Sequence, residues 1–258
     1  MPSRLTVPEW AREYFERGYG QRWGLPAVSD RIRLEAGDLW DQLQLSPGAR
    51  VLDLGCGHGR HALALAQRGA KVLGMDFAET LLTRAKALGS DLNVPARWLR
   101  GDIRRPPLRS GIFAGAILID AFGFFETDEE NEAVLSEAVR ILAPGGRLGL
   151  KVVNGAPVLA AFRTTDREER KGAVVTISRR LEPEHAWMTE KVIVRGPRGN
   201  GEYERRQRLY RSDELCSALE RTGFTGVQVF ATSNCATFEP TASETMWVFC
   251  QHGAGCAS

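Results

Sequence analysis

Three glycines at alternate positions, Gly55, Gly57 and Gly59, restrict the fold of this chain more than any other feature of its sequence. They follow a short apolar run, residues 51–54, and precede residues 60–68, which have the pattern of a helix. A glycine turn between a buried strand and a helix is typical of parallel α/β sheets that hold a ligand at the carboxyl ends of their strands. Glycine is required there because a Cβ would prevent the backbone from closing tightly around the ligand.

Short apolar runs and amphipathic segments alternate from Arg50 onward, which predicts parallel strands covered by helices on both faces. Thr127 and Glu130 form a capping-box pattern at the start of the last helix in this series, and Pro144 with the two glycines after it is expected to end that helix. The predicted strands are residues 51–54, 71–76, 97–99, 113–120 and 148–153.

After Asn154 the apolar residues alternate with period two, which predicts an antiparallel insertion over residues 155–211. The insertion carries thirteen Lys or Arg against eight Asp or Glu. Such a surplus either binds a carboxylate or phosphate on another molecule or forms the solvated face of an exposed sheet. A helix, residues 212–221, and two strands, residues 226–230 and 245–249, are predicted to follow.

Length and composition favour one structural domain in the cytoplasm. The chain has 258 residues, of which 43% are hydrophobic and 26% charged, and its formal net charge is +2. This balance gives no general argument for nucleic acid or a membrane as partner. Five scattered cysteines show neither metal-ligand spacing nor a disulfide framework, so we expect reduced thiols and no bound metal. We also expect no secretory signal and no membrane span, because no run approaches ~18 apolar residues.

The residues around the glycine turn separate two classes of nucleotide-binding enzyme. Dinucleotide-binding proteins have Gly or Ala three residues after Gly57, where this chain has Arg60. Asp76 ends the second predicted strand, where a carboxylate accepts hydrogen bonds from both hydroxyls of a ribose. Together with GDI at residues 101–103 and LAPGGRL at residues 142–148, these motifs resemble those of class I S-adenosylmethionine (SAM) dependent methyltransferases in order and spacing.

The resemblance is strong over residues 45–153 and looser beyond residue 212, and it implies a fold. The fold class is α/β, a Rossmann-like class I methyltransferase fold with a seven-stranded, mostly parallel sheet, a reversed C-terminal β-hairpin and an antiparallel insertion after strand five. The implied segments are a helical lid, residues 1–44, a SAM-binding core, residues 45–154, a substrate-side insertion, residues 155–211, and a C-terminal part that completes the core sheet, residues 212–258.

The same resemblance implies roles around SAM and its product S-adenosylhomocysteine (SAH). Gly55 and Gly57 are expected at the methionine end of the cofactor. Asp102 and Ile103 are expected against adenine, and Asp120 at the mouth beside the methyl group. The full cofactor set predicted is Tyr14, Asp53, Gly55, Cys56, Gly57, Asp76, Phe77, Asp102, Ile103 and Asp120. Methyl transfer depends mainly on proximity and on exclusion of water, so the sequence predicts no catalytic residue.

Five polar side chains near these motifs also have simpler interpretations. Instead of binding the cofactor, Asp53 and Asp120 could simply accept hydrogen bonds from backbone amides at the ends of their strands. Cys56 is expected to contribute a backbone amide and a small side chain instead of a reactive thiolate. For His58 and His61, a surface or helix-capping role is favoured over catalysis, because the sequence names no carboxylate partner for either.

An aromatic segment near the N-terminus has two interpretations. Trp10, Tyr14 and Phe15 stand at helical spacing ahead of glycine hinges at Gly18, Gly20 and Gly24. They form either a lid that lays a ring over the positive sulfur of SAM or a helix that packs its aromatic face on the core. The two interpretations are compatible.

The expected acceptor is a small molecule or a peptide methylated on nitrogen or oxygen, because residues 119–131 are most similar to enzymes of that kind. Nucleic acid is disfavoured because the catalytic fold uses almost the whole chain, although an RNA bound through residues 205–211 stays an alternative. A nicotinamide oxidoreductase would need a proton-relay pair such as Tyr-x-x-x-Lys, which is not seen. A catalytically silent SAM-binding module is the third alternative.

Overall fold

A computed structural model describes residues 7–170, 172–182, 184 and 186–253. The strands are β1 Arg50–Leu54, β2 Lys71–Asp76, β3 Arg97–Arg100, β4 Phe113–Ile119, β5 Leu142–Val153, β6 Thr165–Arg170, β7 Ala173–Glu182, β8 Trp187–Arg195, β9 Gly201–Arg208, β10 Phe224–Phe230 and β11 Thr245–His252. The helices are α1 Glu9–Glu13, α2 Tyr19–Trp23, α3 Asp30–Gln42, α4 Arg60–Gln67, α5 Glu79–Asp91, α6 Asp128–Ile141, α7 Gly155–Ala160 and α8 Ser212–Arg221, and a π-helical segment, Tyr14–Gly18, joins α1 to α2.

A seven-stranded sheet forms the centre of the molecule. Its strands lie in the order β10-β11-β5-β4-β1-β2-β3, and β11 alone runs against its neighbours in this sheet. The order reverses between β1 and β4, so the loops after these two strands diverge and leave a crevice at the carboxyl edge. The predicted mostly parallel sheet with its reversed C-terminal hairpin is confirmed.

Helices bury apolar side chains on both faces of this sheet. On one face, α6 and α8 contribute Val134 and Leu219 to a core around β4 and β5. On the other, α3 and α4 contribute Leu39 and Leu63 to a core around β1. All four of these side chains are fully buried, each stabilising the fold by roughly 1.5–3 kcal/mol relative to exposure. Helix α3, which the sequence placed in the lid segment, is therefore part of the core packing.

The insertion forms a separate four-stranded antiparallel sheet, ordered β6-β7-β8-β9, as predicted. Two of its elements, α7 and β6, were not predicted. The sequence of β6 is TDREER, which contains no apolar residue, so it gives no alternating pattern; it pairs only with β7, at the edge of the sheet.

The junction between α6 and β5 differs from the prediction. Strand β5 begins at Leu142, directly after α6, so Pro144 lies within the strand, whereas the sequence predicted a break there and a strand from residue 148. A register shift opposite β4 accommodates the extra residues. The capping box is also altered: Thr127 accepts from the amide of Glu130, but the Glu130 carboxylate accepts from the amide of Glu126.

The N-terminal helical segment, Glu9 to Trp23, runs without interruption through α1, the π-helical segment and α2. Gly18 and Gly20 lie inside helical turns, and their role as hinges stays a prediction. Gly24 ends α2 in the left-handed conformation at φ +75°. The segment packs on the second sheet, where Tyr14 forms a third core with residues of β7, β8 and β9.

Candidate active site

A cavity of about 660 Å³ lies at the carboxyl edge of the seven-stranded sheet, beyond the ends of β1, β2 and β4. The N-terminal helices and the second sheet cover it from the other side. Every residue of the predicted cofactor set lines this cavity: Tyr14, Asp53, Gly55, Cys56, Gly57, Asp76, Phe77, Asp102, Ile103 and Asp120. Residues from distant parts of the sequence are thus brought together around one space.

Two glycines of the turn after β1 have different reasons to be glycine. Gly57 adopts φ +54°, and a Cβ added to it would meet nothing within 4 Å. A side chain there would therefore extend into open space beside the cavity that Gly57 lines. Gly59 adopts φ +80°, and its Cβ would overlap the ring of Trp98. Gly57 thus leaves room for a ligand, whereas Gly59 is required by packing.

Asp76 ends β2 with its carboxylate held by the glycine turn. Its Oδ2 accepts from the amide of Gly57 at 2.8 Å, and its Oδ1 accepts from the amide of Ala78 at 2.9 Å. Burial raises the pKa of Asp76 to about 6, against the lowering effect of these amides. The side chain is therefore ionised at neutral pH and fixed in direction, as a carboxylate that receives two hydroxyl donors must be.

Asp53 is buried behind the turn, and Cys56 beside it is half-buried. Burial and the charge of Asp76 raise the pKa of Asp53 to about 7. Burial, with both carboxylates nearby, also raises the pKa of the Cys56 thiol well above its usual value, which agrees with an unreactive side chain. The amide of Cys56 donates to the carbonyl of Met75 at 3.0 Å, so it is engaged in holding the turn.

The carboxylate of Asp102 is already engaged by a neighbouring cation. Arg104, 2% exposed, binds both of its oxygens through Nε and Nη2 at 2.6–3.1 Å. The same guanidinium extends to Glu130 of α6 at 2.8 Å. Asp102, Arg104 and Glu130 therefore form one charged network, which the sequence did not predict. Any contact of Asp102 with adenine would be made by a carboxylate that Arg104 already holds.

Asp120 and Lys151 form an ion pair at the mouth of the cavity. Lys151 Nζ lies 3.0 Å from Asp120 Oδ2, and both side chains line the cavity. Asp120 adopts φ +55°, a left-handed conformation that is uncommon outside glycine and frequent at functional sites. Lys151 was missed, although a single lysine in the apolar run of β5 was a usable signal.

The two histidines of the turn are buried, so the expected surface role is wrong. His58 and His61 are 2% and 6% exposed. His61 Nε2 lies 2.9 Å from Oε2 of Glu35, the carboxylate partner that the sequence did not name. His58 Nε2 lies 3.1 Å from the carbonyl oxygen of Pro26.

The protonation of the Glu35–His61 pair follows from its surroundings. Burial alone would raise the pKa of Glu35, but His61 and Arg31 outweigh this and lower it to about 2. Burial lowers the pKa of His61 despite the opposing effect of Glu35. A neutral imidazole beside a carboxylate donates from Nε2, which leaves Nδ1 as the proton-accepting atom. The signal for Glu35 was its place on the apolar face of α3, three residues after Ile32.

The N-terminal helical segment is attached to the core at both ends of the cavity. The Glu16 carboxylate accepts from the amides of Glu79 and Thr80, each at 2.9 Å, at the start of α5, where Ala78 provides no side-chain cap. Trp10 donates from Nε1 to Glu126 at 2.7 Å. The segment therefore lines the cavity and packs on the second sheet, and its role as a lid over SAM stays a prediction.

Aromatic rings from this segment and from the core meet above the cavity. Phe15 packs edge-on against Phe77 and Phe124, with ring centroids 5.8 and 5.6 Å away. Tyr19 also lines the cavity. The electron-rich faces of such rings favour a positively charged ligand group.

Other features bear on what the site accommodates. Arg205 and Gln207 of β9 reach the cavity from the second sheet, whereas the sequence analysis considered residues 205–211 only as part of an alternative RNA-binding stretch. Within the described ranges, no group of three or more His, Cys, Asp or Glu side chains is placed to hold a metal ion. None of the helices described is both long enough and apolar enough to cross a membrane.

Comparisons with known proteins give matches over the part of the chain that contains the glycine turn. Residues 51–146 match the family model of a methyltransferase domain. A demethylmenaquinone methyltransferase from Thermus thermophilus is 39% identical over 120 residues, which are 46% of this chain and 52% of that protein. The chain thus spans about half the length of the curated relatives it matches.

Solved structures extend the likeness in fold to most of the chain. A SAM-dependent methyltransferase from Clostridium acetobutylicum superimposes with a TM-score of 0.77 at 12% identity, covering 92% of this chain and 97% of that one. A SAM-bound amino pentose methyltransferase from Micromonospora echinaspora gives a TM-score of 0.61 at 20% identity, covering 91% and 94%. At these identities the likeness concerns the fold.

Proposed function

We propose that this chain, which belongs to the class I SAM-dependent methyltransferase family, transfers a methyl group from SAM to a nitrogen or oxygen atom of a small-molecule or peptide acceptor. The observation that carries the proposal is that the whole predicted cofactor set lines one cavity at the carboxyl edge of the sheet. We expect neither a metal nor a membrane partner. We also expect residues 45–154 to hold the cofactor, as the resemblance in sequence implies.

The residues present fit SAM. A ribose would be held by Asp76, because its carboxylate is ionised and both oxygens are fixed in position by backbone amides. The methionine end would lie over Gly55 and Gly57, where the absence of a Cβ at Gly57 leaves open space. Ile103, 7% exposed at the cavity wall, would contact the adenine ring.

When bound, SAM would supply a methyl group on a positively charged sulfur: the acceptor nucleophile would bond to the methyl carbon as the carbon–sulfur bond breaks, and SAH would be the leaving group. Tyr14, Phe15 and Tyr19 face this region from the N-terminal helical segment and would stabilise the positive charge. The same segment excludes water from the cavity, which strengthens the electrostatic interactions inside. Orientation and exclusion of water are the main contributions that this fold makes to the rate.

Two groups are suited to receive a proton from the acceptor. His61 is neutral, and its hydrogen bond to Glu35 directs its basic Nδ1 lone pair away from that carboxylate. Asp120 lies at the cavity mouth with its charge balanced by Lys151. An amine or hydroxyl acceptor that arrives protonated would lose its proton to one of these side chains.

The test begins with isothermal titration of the purified protein with SAH and, in parallel, with NADH. Micromolar binding of SAH alone supports the cofactor assignment. Binding of NADH alone would contradict it and would favour the oxidoreductase alternative. Release of SAH is then measured for a panel of amines, phenols and short peptides with SAM as donor, and a short RNA is included as the competing acceptor class. SAH binding without turnover of any of these would favour the silent module.

A further inference from the structure

A second cavity, of about 390 Å³, adjoins the main one on the side of the antiparallel sheet. Trp23, Val153, Arg205 and Gln207 line both cavities, so these side chains form a shared wall. A molecule with its reactive atom in the main cavity therefore has this second space within reach of its other end.

Arginines dominate the lining of the second cavity. Arg22, Arg163, Arg179 and Arg205 line it, and among the described lining residues Glu190 is the one carboxylate. They come from α2, the loop after α7, β7 and β9, so the cluster is assembled from separate parts of the chain. We refer to this space as the basic pocket.

Glu190 is outnumbered by the cations around it. It is 2% exposed and lies 2.8 Å from Nε of Arg179, 2.5 Å from Nη2 of Arg205 and 3.6 Å from Nη1 of Arg22. Burial alone would raise its pKa, but these three guanidinium groups outweigh that effect and lower it. One negative charge therefore faces three positive charges at the wall of the pocket.

Two acids outside the pocket lining bring the carboxylates around Arg22, Arg179 and Arg205 to three, so the fourth arginine of the pocket, Arg163, is the cation in excess. Glu168 pairs with Arg22 at 3.2 Å, and Asp166 lies 3.7 Å from Arg179. The Nε atoms of Arg22 and Arg205 are buried and donate no hydrogen bond within the described part of the chain. Oε2 of Glu190 is likewise buried without a hydrogen bond. The side chains of Arg179 and Arg205 keep 16% and 17% of their surface exposed, so an anion in the pocket would contact the cluster through these two.

Arg163 adds a further cation at the open side. It is exposed, and no acid in the described residues pairs with it. Apolar side chains complete the lining, among them Val158, Phe162, Met188 and Leu209. A cavity of this lining and size has room for a bare anion such as phosphate and also for an apolar body attached to the anionic group.

We propose that the basic pocket binds a carboxylate or phosphate carried by the methyl acceptor, so that the substrates of this protein are small molecules with an anionic group attached to an apolar framework. Guanidinium groups bind such anions through paired, charge-assisted hydrogen bonds. This inference rests on the proposed methyltransferase function, because only that function makes the bound molecule a methyl acceptor. Anion binding by the pocket can be measured independently of it.

The first test uses inorganic phosphate as the probe, with the midpoint of thermal unfolding as the readout, at an ionic strength held constant with chloride. Arg163→Glu is the test variant, because Arg163 is exposed and its replacement leaves the fold intact. Arg180→Glu is the matched control, since Arg180 is exposed, lines neither cavity and follows Arg179 directly, so it points to the opposite face of β7.

We expect phosphate to raise the unfolding midpoint of the wild type saturably. Arg163→Glu should weaken the apparent phosphate affinity about tenfold or more, and Arg180→Glu should leave it within about twofold. The absence of a saturable effect in the wild type, or an equal loss in both variants, would overturn the assignment of the pocket.

SAH titration of the same three proteins separates this inference from the proposed function. Arg163 does not line the main cavity, so SAH affinity should be the same in all three. If SAH binds and phosphate does not, the assignment of the basic pocket as an anion site is wrong and the proposed function stands. If phosphate binds through Arg163 and SAH does not bind, the proposed function fails instead.

The second test identifies the source of the anion. Pairs of phenols or amines that differ only by a carboxylate or phosphate are offered with SAM, and KM is compared with kcat. We expect the wild type to prefer the anionic member through KM and Arg163→Glu to lose that preference. An equal KM for both members in the wild type would mean that the pocket takes a free anion, and would refute its role in acceptor binding.

Discussion

Replacement of Asp53 by Asn is expected to remove a pH-dependent loss of stability from the ligand-free protein. Asp53 is 3% exposed, and burial together with the charge of Asp76 raises its pKa from 3.8 to about 7. Because the pKa is raised on folding, the folded protein holds a proton in the interval between these values that the unfolded chain has released. The free energy of unfolding therefore falls as pH rises through this interval and is constant above it.

The size of the effect follows from the shift. Each pH unit within the interval costs about 1.4 kcal/mol, so Asp53 lowers the stability of the wild type by about 3 kcal/mol between pH 5 and pH 7. Asn keeps the size of the side chain and an oxygen for the amide of Ala62, but it does not titrate. The difference in unfolding free energy, variant minus wild type, should therefore rise by about 3 kcal/mol from pH 5 to pH 8.

The assay is urea unfolding followed by tryptophan fluorescence at intervals of pH, with no ligand present. Asp41→Asn serves as the control, since it removes an exposed carboxylate from the end of α3. The reasoning is refuted if the difference between Asp53→Asn and the wild type stays constant over this range, because Asp53 would then be ionised throughout and the cause assigned to its burial would be wrong.

Three substitutions test the remaining assignments. Asp76→Ala should weaken SAH binding by roughly 1–3 kcal/mol by titration calorimetry, because a charged acceptor of two hydroxyls is lost; unchanged affinity would exclude the ribose role. Gly57→Ala should weaken SAH binding about tenfold or more while the protein stays folded, since the new methyl points into open space; undiminished affinity would place the ligand elsewhere. Gly59→Ala should instead lower the unfolding free energy by roughly 2–4 kcal/mol in urea, because its Cβ overlaps Trp98; stability equal to the wild type would contradict that contact.

The sequence predicted those parts of the fold and site that depend on local pattern. The turn at Gly55 to Gly59 and the acid at the end of β2 are each recognisable within a few residues, and the sheet brings them together because its strands are parallel. Thr127 likewise marked the start of α6 correctly. Such local patterns predict the structure correctly because the tertiary packing favours the same conformation as the local sequence.

The parts that were missed depend on contacts between distant segments. Glu35 and His61 are 26 residues apart, and the place of Glu35 on the apolar face of α3 indicates that it is buried but does not identify His61 as its partner. The predicted strand after Pro144 began too late because pairing with β4 overrides the local tendency of that proline to separate elements. Strand β6 escaped detection because an exposed edge strand needs no apolar residues.

The attachment of Glu16 to α5 has a consequence for the kinetics of ligand exchange. Glu16 supplies from the N-terminal helical segment the cap that Ala78 lacks, and α5 begins three residues after Asp76. Movement of the N-terminal helical segment away from the cavity therefore leaves the first turn of α5 uncapped. We expect this movement and the fraying of that helix end to occur together. Amide deuterium uptake at Glu79 and Thr80 should then report this opening of the N-terminal helical segment, and Glu16→Ala should accelerate both that uptake and the dissociation of SAH.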